Sequence, residues 1–266
     1  MNHVAYLEAK RTVDDRAIDR ETLAAVVDGL PPNPRVLELG AGTVTMVERC
    51  YDRRLLDEGE WLAVDRCRAA LQRGRDRLAE RPESTVEGDR VELGSLTVRF
   101  LAEDAFASAT RLAAAGESFD LLVGCAFFDL VDVDRLSTFE PLSDRLYAPI
   151  TYDGVTAFSP SDPDDELVLS TYREHMETCR PGTPDGGARL CERLASIERV
   201  APSPWVIAPP YTTDESRVVE HVLKTIEASL AELGVDATAW TNRRRGQLES
   251  GSLGYRAENV DVYGRL

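Results

Sequence analysis

From residue 35 onward, short continuous apolar runs alternate with longer stretches whose apolar positions recur at helical spacing. Val36, Leu37 and Leu39 make the first run, in a strand over 35–39, followed by a helix over 44–57. Strands over 60–64, 95–101, 119–124 and 146–152 come next, separated by helices over 66–80, 104–114 and 132–145. Unbroken apolar runs predict strands buried on both faces. Strand–helix alternation predicts right-handed crossovers and a mostly parallel, doubly wound α/β sheet. Ligands of such sheets sit beyond the carboxyl ends of the strands.

The flanks carry other patterns. Residues 3–30 predict two helices, with Leu23, Val26 and Val27 facing the fold and Gly29 and Pro31-Pro32 stopping the run. Beyond 152, the loop Pro160 to Asp165 leads into a helix from about 166 that breaks at Arg180-Pro181-Gly182, and a second helix covers about 187–196. A sixth strand over 203–208, helices near 213–233 and 239–249, and a closing strand over 254–264 complete the chain. The expectation is seven strands in one domain, residues 31–266, with helical insertions at about 160–200 and 212–250. Residues 1–30 form a helical lid ahead of it. No internal repeat appears.

The densest chemical signal is Arg35 to Val44, where the first strand ends in Glu38 and Leu39 and a turn follows through Gly40, Ala41 and Gly42. Glycines there allow a tight turn and close approach of a ligand, and the free N–H groups of the next helix favour a polar partner. A dinucleotide loop reads Gly-x-Gly-x-x-Gly, but its third glycine falls at Thr45, and Glu38 would repel phosphates. A cationic ligand suits the acid better. Three later strand ends are also marked: Asp65 with Arg66, Glu103-Asp104-Ala105, and Cys125-Ala126-Phe127.

This order of motifs resembles class I S-adenosylmethionine-dependent methyltransferases, whose first motif is an acid followed by Gly-x-Gly-x-Gly. Here Val44 replaces the third glycine. The resemblance implies a Rossmann-like fold with S-adenosylmethionine as cofactor. Glu38, Leu39, Gly40, Ala41 and Gly42 would then hold its methionine part, Asp65 and Arg66 its ribose, and Glu103, Asp104 and Ala105 its adenine. Cys125, Ala126 and Phe127 would lie beside the transferred methyl. Arg11 or Arg16, in the charge-dense segment 6–16, would pair with the methionine carboxylate, or that segment is a solvated helix face. The segment from Tyr152 onward resembles a subgroup of these enzymes without a defined substrate, of the kind found in salt-loving archaea.

Candidate acceptor-side residues are Asp129, alternatively a helix cap; Tyr152 and Asp153, alternatively a turn before Gly154; and His175, alternatively a structural histidine. No Asn-Pro-Pro-Tyr follows the fourth strand, as it does in members that methylate DNA or protein amides, so a small molecule methylated at oxygen or nitrogen is expected.

Composition narrows the partners. The 47 acids against 31 bases give a net charge of −16, which disfavours nucleic acid and anionic membranes and matches a halophilic, high-salt cytoplasm. Only two of the bases, Lys10 and Lys224, are lysines. The run Arg243-Arg244-Arg245 reads as a solvated or salt-bridged helix face. Five dispersed cysteines and three dispersed histidines predict reduced thiols and no metal site. No apolar run reaches membrane-spanning length, and no secretory leader is seen. Oligomeric state is not legible. Two other readings stay open: a nucleotide-dependent oxidoreductase with a Rossmann fold, and a non-catalytic relative of the methyltransferase fold that binds a partner.

Overall fold

The computed structural model describes all 266 residues. Three short helices, α1 (His3–Ala9), α2 (Arg11–Ala17) and α3 (Arg20–Asp28), replace the two expected at the start. The alternating unit follows as β1 (Arg35–Leu39), α4 (Thr45–Asp52), β2 (Glu58–Val64) and α5 (Arg68–Ala79). A hairpin that sequence reading missed, β3 (Ser84–Glu87) and β4 (Arg90–Leu93), precedes β5 (Ser95–Leu101), α6 (Ala105–Ala114) and β6 (Leu121–Val123). Where a helix over 132–145 was expected, only a 3-10 turn, Val133–Thr138, forms, and β7 (Arg145–Ser159) is correspondingly long.

The second half contains α7 (Asp165–Cys179), α8 (Gly186–Arg193), β8 (Ser196–Pro202), β9 (Trp205–Ile207), α9 (Thr213–Glu232), α10 (Thr238–Glu249) and β10 (Gly254–Arg265). The sheet has ten strands rather than seven, ordered β3-β4-β5-β2-β1-β6-β7-β10-β8, with β9 also on β10. Strands β5, β2, β1, β6 and β7 are mutually parallel; the others pair antiparallel. The surplus comes from the β3–β4 hairpin and from β8, which forms ahead of the expected sixth strand; that strand is β9, and Pro204 between the two supplies no N–H to the ladder.

Side chains of β1 divide between two cores. Val36 joins a cluster that includes residues of α2, α3, α4, α5 and α9; Leu37 and Leu39 join a second built with α6, the 3-10 turn and α8. Helices therefore cover both faces, and period-two alternation sends Glu38 to the first face. Helix α9 starts at a capping box in which Thr212 accepts from the Glu215 N–H and Glu215 accepts from the Thr212 N–H. On α10, a Cβ added at Gly246 would meet nothing within 4 Å. Gly246→Ala should therefore stabilise the protein by about 0.5–1 kcal/mol, read as a higher midpoint in a denaturant melt; an unchanged or lower midpoint contradicts the packing seen there.

Strand β7 is irregular near its centre. Register shifts against β10 fall between Ala257 and Asn259 and between Val260 and Val262, and Ile150 has φ +56°. The fully buried Asp261 carboxylate holds this bulge, accepting from the Ile150 N–H at 2.9 Å, the Tyr147 hydroxyl at 2.9 Å and the Asp19 N–H at 3.0 Å. Leu146 and Ala148 face the second core, whereas Ile150 and Phe158 face the first. The bulge thus reverses which face even-numbered residues present.

The triplet 243–245 departs from its expectation at the middle position. Arg243 pairs with Asp162 and Asp164, and Arg245 with Glu220 and Glu227, as a salt-bridged face would. Arg244 is fully buried: it grips Asp165, donates to the Pro160 carbonyl at 2.7 Å, and stacks between Phe158 and Trp240, with ring centroids 5.4 and 5.6 Å away.

Candidate functional site

The turn after β1 holds three successive alternate residues in the left-handed region: Gly40 at φ +64°, Gly42 at φ +54° and Val44 at φ +61°, ψ 34°. Position 44 therefore has the backbone a glycine would supply, although valine occupies it. A β-branched residue in this region is strained, at a cost of about 1–3 kcal/mol. Complete burial of the Val44 side chain offsets part of that cost. Asp65, at the end of β2, fastens the loop: one carboxylate oxygen accepts from the Gly42 N–H at 2.8 Å and the other from the Cys67 N–H at 2.7 Å. Arg77 of α5 donates to the Thr43 carbonyl at 2.6 Å.

Against this loop opens a cavity of about 520 Å³, within the range of small-molecule sites, roughly 300–1,000 Å³. It lies at the carboxyl ends of the parallel strands, where the topology places a ligand. Glu38, Gly40, Ala41, Gly42, Asp65, Arg66, Asp104, Ala105, Cys125, Ala126 and Phe127 all line it, as do Asp129 and Tyr152. A Cβ at Gly40 would stand 2.5 Å from the Phe127 ring, and one at Gly42 would stand 3.1 Å from Leu7 of α1. The glycines are what let the ring and the helix approach.

Glu38 is 1% exposed and accepts from the Trp61 indole N–H at 2.9 Å. Burial pushes its carboxyl up to about 8, against the pull of that hydrogen bond and of Arg49. Burial also lifts Asp129 to about 6, offset by backbone N–H groups and Lys10. The Cys125 thiol rises to about 12 through burial, so it stays a neutral wall of the cavity at neutral pH. Asp104 caps α6 through Oδ1, accepting from the Phe106 and Ala107 N–H groups at 3.0 and 3.1 Å.

Several expected site residues lie elsewhere. Arg11 is turned to Glu48 at 2.6 Å and Arg16 to Glu215 at 2.5 Å, because each is drawn to a nearly buried acid on the fold beneath. Leu39 is a core residue, pointing opposite to Glu38 as strand alternation requires. Glu103 pairs with Arg111 on the surface at 2.8 Å. Asp153 accepts from the Ala188 N–H at 3.0 Å at the start of α8, since the β7 bulge directs Tyr152 to the cavity instead. His175 is buried between α7 and α9, with Nε2 2.7 Å from Glu232 Oε2, and does not line the cavity.

Other cavity residues escaped sequence reading. From the amino-terminal helices come His3, Tyr6, Lys10 and Asp14; from the insertions come Tyr172, Met176, Arg180 and His221; and Trp205, Tyr255 and Asn259 come from the antiparallel strands. The Lys10 ammonium lies 2.6 Å from Asp14 and 5.5 Å from the centroid of the Trp205 ring. The His221 ring lies 4.3 Å from that of Tyr6, and burial, the chain's amino terminus and nearby Lys224 and His3 lower its pKa, keeping the imidazole neutral at neutral pH. The lysine scarcity was a usable signal for Lys10. For His221 the only signal was membership of a helical face with Val218 and Val222.

No group of three or more His, Cys, Asp or Glu residues is arranged to hold a metal ion, and no helix is long and apolar enough to cross a membrane. No protein-family model matches the chain, and no curated protein matches it. Solved structures do match. A proposed type II methyltransferase from Anaeromyxobacter dehalogenans aligns with a TM-score of 0.52 and 14% identity over 94% of this chain and 97% of that one. A cyclopropane synthase from Mycobacterium tuberculosis gives 0.48 and 13% over 98% of both chains. A SAM-dependent methyltransferase from Thiobacillus denitrificans, solved with S-adenosyl-L-homocysteine, gives 0.46 and 15% over 94% and 93%. Only the first of these three scores exceeds 0.5, and at such identity it speaks to architecture alone: the chain has the α/β Rossmann-like methyltransferase fold.

Proposed function

We propose that the protein is an S-adenosylmethionine-dependent methyltransferase acting on a small molecule. The observation that carries this reading is the cavity at the strand ends, where a left-handed glycine loop, Glu38, Asp65, Asp104 and Phe127 share one wall. The residues fit the donor. Glu38 offers a carboxyl to the cationic methionine end, and Asp65 keeps acceptor capacity for ribose hydroxyls beyond its two backbone bonds, since a carboxylate has about four lone-pair sites. Asp104 and Phe106 are available to an adenine. A dinucleotide fits worse, because its phosphates would meet Glu38 and Asp65, while Lys10 is already paired with Asp14. The role of the chain is alignment of donor and acceptor, which can supply much of the acceleration of a transfer reaction. The donor itself would supply an electrophilic methyl group.

Charge makes the donor assignment testable. A sulfonium beside Glu38 favours its ionised form, so binding below pH 8 releases a proton, and affinity should rise with pH until it levels near 8. The neutral thioether S-adenosylhomocysteine exerts no such field. Calorimetry in molar KCl should show the ratio of S-adenosylmethionine to S-adenosylhomocysteine affinity rising between pH 6.5 and 8.5, and Glu38→Gln should flatten it. Failure of a folded sample to bind either compound sinks the assignment; a ratio independent of pH removes Glu38 from the sulfonium.

A further inference from the structure

Away from the glycine loop, the cavity changes character. Tyr6, Tyr152, Tyr172, Tyr255 and Trp205 form its walls, drawn from α1, β7, α7, β10 and β9. All four tyrosines line the same cavity, so their rings share one space. Two acids face it. Asp129 and Asp14 each carry a buried Oδ1 with no hydrogen-bond partner. Buried carboxylate oxygens left unpaired are costly and call for a donor. The backbone of Asp129 is fixed from behind, since its carbonyl accepts from the Thr183 N–H at 3.2 Å and a Cβ at Gly182 would stand 1.9 Å from that carbonyl oxygen. The basic groups nearby do not fill the need: Lys10 and the buried Arg49 both pair with Asp14 through Oδ2, at 2.6 and 3.5 Å, and Arg180 is exposed at the rim beside Ser229.

Aromatic faces attract cations, and an ammonium among them with a carboxylate alongside gains from both. Lys10 over Trp205 already displays that chemistry within the chain. From the aromatic wall and the unpaired Asp129 oxygen, we infer that the methyl acceptor is an amine, bound as its ammonium in this cage. This inference rests on the methyltransferase reading above and names its substrate class. An ammonium must lose one proton before its nitrogen can react. The nitrogen lone pair then forms the bond to the methyl carbon as the carbon–sulfur bond breaks toward sulfur, leaving a neutral thioether and a cationic methylated amine. Asp129, beside the bound ammonium, and the neutral His221 are two groups lining the cavity that can accept that proton.

The test uses a cation whose nitrogen has no lone pair and cannot be methylated. Choline, and the uncharged alcohol in which tert-butyl replaces its trimethylammonium, are titrated into the full chain by calorimetry in phosphate-buffered KCl, with and without S-adenosylhomocysteine. Choline should bind at least about tenfold more tightly. Asp129→Asn and Tyr172→Leu should each lose most of that preference, Tyr172→Phe should keep it, and all three should bind S-adenosylhomocysteine as the parent does. Equal affinity for the two probes, or no choline binding by a sample that binds S-adenosylhomocysteine, overturns the cage. Choline discrimination without S-adenosylhomocysteine binding keeps the cage and overturns the methyl donor. With methyl-labelled donor and matched amines, phenols and carboxylic acids, label should appear on nitrogen; label on oxygen alone overturns the acceptor class.

Discussion

Gly74→Ala should lower the melting temperature by roughly 5–10 °C and weaken S-adenosylhomocysteine binding more than tenfold. Gly74 lies on α5 where that helix crosses the glycine loop, and an added Cβ would stand 2.5 Å from the Thr43 carbonyl oxygen and 2.7 Å from Val44 Cγ2. The first contact is backbone and cannot rotate away. Relief requires separation of α5 from the loop, and overpacking of this kind costs about 1–3 kcal/mol, or several degrees for a chain of this size. The displaced residues lead directly from Gly42, so the strand-end wall moves with them. Parallel melts and titrations of Gly74→Ala and Gly246→Ala make the comparison within one substitution type: the first should destabilise and the second stabilise. Two melts shifted in the same direction would contradict the α5 contact.

Arg244→Ala should be still more damaging, costing about 3–5 kcal/mol. The guanidinium is 0% exposed and sits between Phe158 and Trp240, gripping an Asp165 carboxylate that also accepts from the Trp240 indole N–H at 2.8 Å. Removal leaves that carboxylate partly buried with two neutral donors, the Trp240 indole and the Asp162 N–H, and no cation, and opens a void where the guanidinium stacked. Helix α7 begins at Asp165 and carries Tyr172 and Met176 into the cavity, so the insertion should loosen with it. A two-step melt, or loss of choline binding before loss of S-adenosylhomocysteine binding, is the expected signature. Arg243→Ala, which removes the pairs of a half-exposed guanidinium, should cost less, about 1 kcal/mol. Comparable losses for both variants would show that burial of Arg244 contributes little.

The parallel half of the fold was legible because its strands are buried on both faces and therefore read as unbroken apolar runs. The strand-end acids followed from topology, and Glu38, Asp65 and Asp104 do reach one cavity. The β3–β4 hairpin was obscured by its exposure: Ser84, Thr85, Val86 and Glu87 carry no buried stripe. Arg11 and Arg16 looked like candidates on charge alone, but which neighbour a flexible arginine finds is decided by the acids of other elements, here Glu48 and Glu215. His175 and His221 are similarly indistinguishable in sequence, each a lone histidine on an amphipathic helix. Val44 was visible as a departure from the glycine pattern, yet its left-handed backbone was not, because loop geometry there is imposed by Asp65, α5 and the packing of Val44 itself.

The bulge at Ile150 separates two tasks along a single strand. Before it, alternate side chains of β7 serve the sheet's two cores; after it, Ile150, Tyr152 and Thr156 line the cavity. Cavity-facing positions on the distal half can thus be exchanged during divergence without disturbing the half that secures the sheet. Asp261, which does not itself line the cavity, is the residue on which that independence depends: its three bonds hold the bulge that presents Tyr152, rather than Asp153, to the cavity.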